Sequence, residues 1–346
     1  MPHFSAQSLK DYCRRLMIAD GVDVDCAEAV ADMLIDAELT GVSTHGVSRL
    51  AIYLERVEKG LVSKHNDAVI IRESPSAVAI DAGNSLGAVG AKFAMETCIR
   101  KAWETGCCFA TVKNSNHFGA AAYYTRMAAE KGMIGFCCTN LTAKIAPHGA
   151  AEPFMGTDPI SVAVPSNGDP IVLDMTPSVV ALGKLILAQK LGKDIPLGWA
   201  LDKDGKPTAD PAAGRAGSLI PIGGPKGSGL ALMVEVLSGI LSGAGTATHL
   251  HDLYEFDAPQ GVGHFLGAID VSKFLDVDAF RAGVSNMSVE IKGLKCAEGV
   301  DEVLLPGERS ARSAAKKAVD GIDVPEAVCV ELAALGKPFG ITLEEA

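Results

Sequence analysis

The hydrophobic period of this chain changes near residue 68, and neither an all-helical nor an all-strand fold accommodates both parts of that pattern. Before the change, apolar residues recur at helical spacing. Leu9, Cys13, Leu16 and Met17 share one face of a run that stops at Gly21. Val30, Met33, Leu34 and Ala37 share a second that stops at Gly41, with Asp25 and Glu28 at capping-box spacing ahead of it. Leu50, Tyr53, Leu54 and Val57 form a third stripe ending at Gly60. After the change, strand-like runs at 77–81, 107–113 and 133–139 alternate with helical runs at 87–105 and 119–131. An Asn-Gly-Asp turn at 167–169 predicts a hairpin between strands at 159–165 and 170–174. Helices are expected over 178–191, 225–241, 277–292 and 325–335, a strand over 263–271, and a Gly/Pro/Asp-rich surface loop over 205–217. The mixture predicts an α/β or α+β class built on a mixed sheet.

Composition narrows the function. The 346 residues carry a net charge of −11, which argues against general affinity for nucleic acid or an anionic membrane. No stretch of about 18 uncharged apolar residues occurs, and the nearest one, 227–245, is broken by Glu235 and five glycines. Residues 1–20 mix acidic and basic side chains with no apolar secretory core. The nine cysteines are odd in number, include two adjacent pairs (Cys107-Cys108 and Cys137-Cys138) and form no CxxC. Buried free thiols in a reducing compartment are the expectation, and with them a cytoplasmic protein.

The usual cofactor and hydrolase motifs are missing. No GxGxxG follows a strand, and there is no Walker P-loop, GxSxG or HExxH. His249 and His251, with Asp252 and Glu255 nearby, have spacing that a metal could use, but read as an exposed pair; no metal is expected. Three other segments set polar residues densely among glycines. In Ser43-Thr44-His45-Gly46-Val47-Ser48-Arg49, a helix beginning near Gly46 would put His45 and Arg49 near one face. Arg49 could then clamp a carboxylate bidentately while His45 exchanges a proton with the neighbouring carbonyl or alcohol. A threonine cap with a surface histidine is the plainer reading. Lys113 to Ala121 places His117 and Gly119 where a strand gives way to a helix, a place suited to an anion, though a turn histidine would look the same. Gly223 to Gly229 sets Lys226 among glycines ahead of an apolar helix; a phosphate site and a simple helix start explain it equally. Arg309 and Arg312 lie three apart on what reads as a solvated face.

Taken together, these strings resemble the type 2 malate/L-lactate dehydrogenase family, the sulfolactate dehydrogenase-like oxidoreductases. The resemblance is carried by Thr44-His45-Gly46 with Arg49, Asn114 to Gly119, Pro147-His148-Gly149 and Gly156 to Ile160. Leu173-Asp174-Met175, Gly183-Lys184, Gly224 to Gly227 and Pro306-Gly307-Glu308 follow in order along nearly the whole chain. It implies a mixed-sheet, non-Rossmann nicotinamide-binding fold. A helical region 1–67 would pack with the segment 305–346, and residues 68–304 would form the cofactor-binding domain. It also implies a homodimer, NAD or NADP as cofactor, and a small carboxylic-acid substrate. By position, His45 is the expected proton donor with Thr44 beside it, and His117 is the alternative acid/base. Arg49 is the expected carboxylate grip. Asn116, His117, Phe118, Gly119, Ala120, Asp174, Met175, Thr176, Pro225, Lys226, Gly307, Glu308, Arg309 and Arg312 match cofactor contacts.

Two departures bear on substrate. The family's cyclic-imine reductases carry an aspartate where this chain has Lys184, and a substrate-contacting threonine about where it has Ala143. Both favour an open-chain 2-oxo or 2-hydroxy acid over piperideine- or pyrroline-2-carboxylate. A sugar-derived keto acid such as 2,3-diketogulonate is a further alternative. Lys184 would attract a second acidic group, as in malate or sulfolactate.

Overall fold

A computed structural model describes residues 1–344, so positions 345 and 346 of the expected C-terminal segment lie outside the described residues. Three helices lead: α1 (Ala6–Ala19), α2 (Val24–Leu39) and α3 (Leu50–Glu58). Ser5 caps α1 by accepting the Ser8 N–H at 3.0 Å. The expected capping box at Asp25 does not form: α2 already starts at Val24, and Glu28 turns outward to Lys10 at 2.6 Å.

A seven-stranded sheet then forms the centre. Its spatial order is 69–73, 77–81, 107–115, 262–270, 133–139, 160–164, 171–175. One neighbouring pair, 77–81 with 107–115, is parallel, because α4 (Gly87–Thr105) crosses between them; every other pair is antiparallel. The late strand Val262–Asp270 inserts at the middle of the sheet between two much earlier ones, and it is buried along most of its length. Helix α5 (Ala121–Ala129) follows the strand ending at Ser115 and packs on the sheet beside α4. The hairpin expected around 167–169 pairs Ile160–Val164 with Ile171–Met175.

Beyond the hairpin come α6 (Leu182–Lys190), α7 (Pro211–Ala216) and α8 (Pro225–Val234). The surface loop expected at 205–217 therefore contains a short helix, capped by Asp210 accepting Ala212 N–H at 2.9 Å with Pro211 in its first turn. The run expected as one helix to residue 241 widens to a π-helical turn over Glu235–Ile240. Helices α9 (Val277–Lys292), α10 (Glu308–Asp320) and α11 (Glu326–Gly336) complete the chain.

Two large cores result. One joins α1, α2 and α3 to the C-terminal residues Ile322, Val324, Cys329 and Leu332, with His3–Phe4 pairing against Ile322–Asp323. The other lies between the sheet and α4/α5 and includes Ile80, Met95, Val112, Tyr124 and Leu266. No disulfide is formed by Cys13, Cys26, Cys98, Cys107, Cys108, Cys137, Cys138 or Cys296 among the described residues. No helix is long and apolar enough to cross a membrane among the described residues.

Candidate active site

A cleft of about 1740 Å³ runs where these layers meet. Its lining comes from the turn after α2, the start of α5, the strand Ile171–Met175, α6, the segments 139–144 and 252–254, and one face of α10.

The turn after α2 is kinked. Two short 3-10 turns, Ser43–His45 and Val47–Arg49, precede α3, in place of the single helix expected from Gly46. Packing dictates the kink. A Cβ on Gly46 would lie 2.0 Å from Glu38 Oε1, the same buried carboxylate oxygen that accepts Val47 N–H at 2.9 Å. His45 and Arg49 still both line the cleft.

Arg49 donates from Nε to the Thr44 carbonyl at 2.7 Å and from an Nη to the Tyr254 hydroxyl. It has no carboxylate partner among the described residues. A guanidinium left without an acid inside a cleft is a ready anion receptor. The side-on fork expected of it is nevertheless unavailable, because Thr44 occupies Nε.

Thr44 Oγ1 sits 3.0 Å from His45 Nδ1, leaving Nε2 free. Burial, and secondarily the positive Arg49, lower the His45 pKa to about 4, so the imidazole is neutral at pH 7. His117 stacks on it, with centroids 5.6 Å apart and planes inclined by 22°. Nδ1 of His117 is tied to the Tyr53 hydroxyl at 2.7 Å, and its backbone N–H donates to Gln260 Oε1 at 2.9 Å. Burial, then the neighbouring His45 and Arg49, hold His117 well below the usual histidine range.

The remaining expected residues divide. His117, Phe118, Gly119, Ala120, Asp174, Met175, Thr176, Lys184, Gly307 and Arg309 line the cleft. Gly119 (φ +80°) leaves no room for a Cβ, which would stand 2.1 Å from Met33 Sδ. Gly307 (φ +84°) is likewise pressed against Val172. Asp174 accepts Ala122 N–H at 2.9 Å at the start of α5, and desolvation pushes its carboxyl up to about 6. Lys184 and Arg309 form no ion pair among the described residues.

Asn116, Pro225, Lys226, Glu308 and Arg312 stand outside the lining. Asn116 is a buried peg whose amide donates to Asn84 Oδ1 at 3.1 Å and Ser85 O at 2.9 Å. Pro225 and Lys226 open α8, and the glycine beside them is there because a Cβ on Gly227 would press the carbonyls of Ile222 and Pro177 at 2.5 Å. Arg312 is consumed by Glu302 and Glu308, each at 2.5 Å, and Glu308 also holds Lys292. His249 and His251 do not converge: the first turns to Thr246 at 3.1 Å, the second to Asp257 at 3.6 Å.

Several site residues escape a reading of the sequence. Tyr53 belongs to the apolar stripe of α3, yet its hydroxyl anchors His117. Gln260 and Tyr254 reach the site from a segment about 200 residues downstream of Arg49, and Lys144 is held there by Asp252 at 3.3 Å. Nothing local marks them.

This cleft sets a neutral histidine beside an arginine without an acid partner, an arrangement suited to acid–base chemistry on a carboxylate-bearing substrate, on a non-Rossmann α/β scaffold. Comparison with known proteins agrees. The family model for malate/L-lactate dehydrogenase matches residues 4–333, and the chain belongs to that family. It is 38% identical over 335 residues to a malate dehydrogenase of Pyrococcus horikoshii, covering 94% of this chain and 92% of that one. The sulfolactate dehydrogenase structure from Methanocaldococcus jannaschii superposes with a TM-score of 0.93 at 35% identity, covering 99% and 98% of the two chains. The Δ1-piperideine-2-carboxylate reductase of Pseudomonas syringae pvar. tomato superposes at 0.88 with 29% identity, over 97% and 100%. Curated relatives include enzymes named for NAD(+) and for NADP(+).

Proposed function

We propose that this chain transfers a hydride between NAD or NADP and a small open-chain 2-oxo or 2-hydroxy acid of the malate, lactate or sulfolactate kind. The observation that carries this reading is the pair on one turn: neutral His45 with a free Nε2, and Arg49 without an acid partner. The cleft suits a dinucleotide beside the acid. At about 1740 Å³ it exceeds the roughly 300–1,000 Å³ of an ordinary small-ligand pocket, and Gly119 and Gly307 are among its lining residues.

The nicotinamide, when bound, supplies or accepts the hydride. The chain must hold the acid and move one proton. Arg49 binds the carboxylate, which places the adjacent C2 oxygen at His45 Nε2. Neutral His45 takes the hydroxyl proton as a hydroxy acid is oxidised and returns it when a keto acid is reduced. In the tautomer whose Nδ1–H donates to the Thr44 oxygen, Nε2 is the basic nitrogen and takes the proton, while Thr44 fixes the ring's orientation. His117, its Nδ1 already tied to Tyr53, holds the His45 ring plane and borders the cofactor segment Phe118–Ala120. Asp174, Met175, Thr176 and Arg309 form the cofactor wall. Arg309 is the arginine available to a 2′-phosphate, since Arg312 is spent on Glu302 and Glu308.

Lys184, unpaired in the cleft, adds positive potential for a second acidic group. Lys184→Ala is expected to raise KM for malate several-fold more than for lactate; an equal KM ratio would remove this role. The cyclic-imine reading draws support from the likeness to the piperideine reductase, and Lys184 and Ala143 weigh against it.

A homodimer is supported by an uncovered apolar face on α8 and the turn after it. Leu230, Leu232, Met233, Ile240 and Leu241 are between 43% and 63% exposed there. Light scattering should give twice the chain mass, and a monomer mass would set the dimer aside. A cytoplasmic location is supported by the thiol-rich chain, in which no disulfide forms among the described residues; cell fractionation tests it.

A further inference from the structure

Tyr254 stands against Arg49 in the cleft without a role in the scheme above. We infer that Tyr254 is a second ligand of the substrate carboxylate, its phenolic O–H donating to one carboxylate oxygen while an Arg49 Nη binds the other. This rests on the carboxylate role proposed for Arg49.

Three observations lead there. Arg49 cannot offer its side-on fork, because Nε is occupied by the Thr44 carbonyl at 2.7 Å. The remaining edge is shared with Tyr254, whose oxygen accepts from the guanidinium. A phenol oxygen that accepts in this way keeps its own proton, and that proton has no acceptor among the described residues. A cation and a hydroxyl donor thus face one point, which matches the two oxygens of a carboxylate.

The loop that presents Tyr254 is moored on both sides. Asp252 Oδ1 accepts Tyr254 N–H at 3.1 Å, while Oδ2 takes the Thr142 hydroxyl at 3.1 Å and Lys144 at 3.3 Å. Buried Arg56 donates to the carbonyls of Leu253, Glu255 and Ala258 at 3.1, 2.5 and 3.0 Å. The backbone that carries the phenol is therefore held before substrate arrives, and Arg49 is the hydroxyl's own contact on a ring that is 61% exposed.

Tyr254→Phe deletes the hydroxyl and keeps the ring. The expected result is a KM for the acid raised about tenfold or more, as for loss of a hydrogen bond to a charged group. The inhibition constant of oxamate, an unreactive 2-oxo acid isostere, should rise in parallel. The affinity for reduced dinucleotide, read by fluorescence, and the melting temperature should not move. Unchanged KM and oxamate inhibition would overturn the inference, and so would a fall in both, which would make Tyr254 a placeholder that the carboxylate displaces. Arg49→Lys separates the two claims. If it raises KM while Tyr254→Phe does not, only the Tyr254 inference falls; if neither variant changes KM, the carboxylate role of Arg49 falls with it.

Discussion

His45→Ala should lower kcat by about 10²–10⁴-fold, the usual contribution of a positioned acid/base, and leave dinucleotide affinity intact. The imidazole is the one titratable group on the Arg49 turn with a free ring nitrogen facing the cleft, and Thr44 already orients it at 3.0 Å. Its pKa also dictates a pH dependence. In the free enzyme it is lowered to about 4, so above that pH the ring is neutral and ready to accept a proton. For hydroxy-acid oxidation, kcat/KM should rise with pH through that region and then level. For keto-acid reduction the protonated ring is required, so kcat/KM should fall as pH rises beyond it. A bound carboxylate offsets the positive Arg49, one of the two causes of the lowered value. The acid limb of kcat should therefore lie at higher pH than that of kcat/KM. Near-full activity of His45→Ala, or coincident limbs, would move the proton transfer elsewhere, with His117 next in line.

Arg49→Ala is the second large effect. It removes a charge-assisted contact that we place on the substrate carboxylate, so KM should rise by about ten- to a hundredfold on the scale of about 1.5–3 kcal/mol for such a bond. A smaller loss in kcat should accompany it, because the same guanidinium braces the Thr44 carbonyl beside His45. Removing the positive charge also raises the pKa of His45, which shifts the acid limb of the oxidation profile upward. Steady-state kinetics at several pH values read all three changes. A variant with lowered kcat and unaltered KM would assign Arg49 to the structure of the turn alone.

How far the sequence reaches depends on the range of the forces involved. The strands at 77–81 and 133–139 and the helices at 87–105 and 277–292 were legible from local pattern, and the structure has them at those bounds. Helix α10 was not, since none of its residues is buried and its cleft face is mostly alanine. The edge strand Val69–Glu73 lacked a buried alternation, being exposed at four of five positions. The Asp210-Pro211 start of α7 was a helix signal present in the sequence and obscured by the surrounding glycines.

The site shows the same division. Thr44, His45 and Arg49 sit on one turn, so their spacing carries information. Gln260 reaches the site just ahead of Val262–Asp270, which runs antiparallel between two strands formed over 120 residues earlier, and Tyr254 does so on a loop held by Asp252 and by Arg56 from α3. That pairing has no local trace. Asn116, Glu308 and Arg312 lie outside the cleft lining and bond to other protein groups, Asn116 to Ser85 O and Arg312 to Glu308, contacts that no motif spacing announces.

The most direct test of the account is absorbance at the reduced-nicotinamide band. The purified protein would be mixed with NADH or NADPH and, separately, pyruvate, oxaloacetate, sulfopyruvate, 2,3-diketogulonate and piperideine-2-carboxylate. The account predicts rapid oxidation with an open-chain 2-oxo acid, and the better nucleotide identifies the cofactor. Turnover confined to piperideine-2-carboxylate would contradict it.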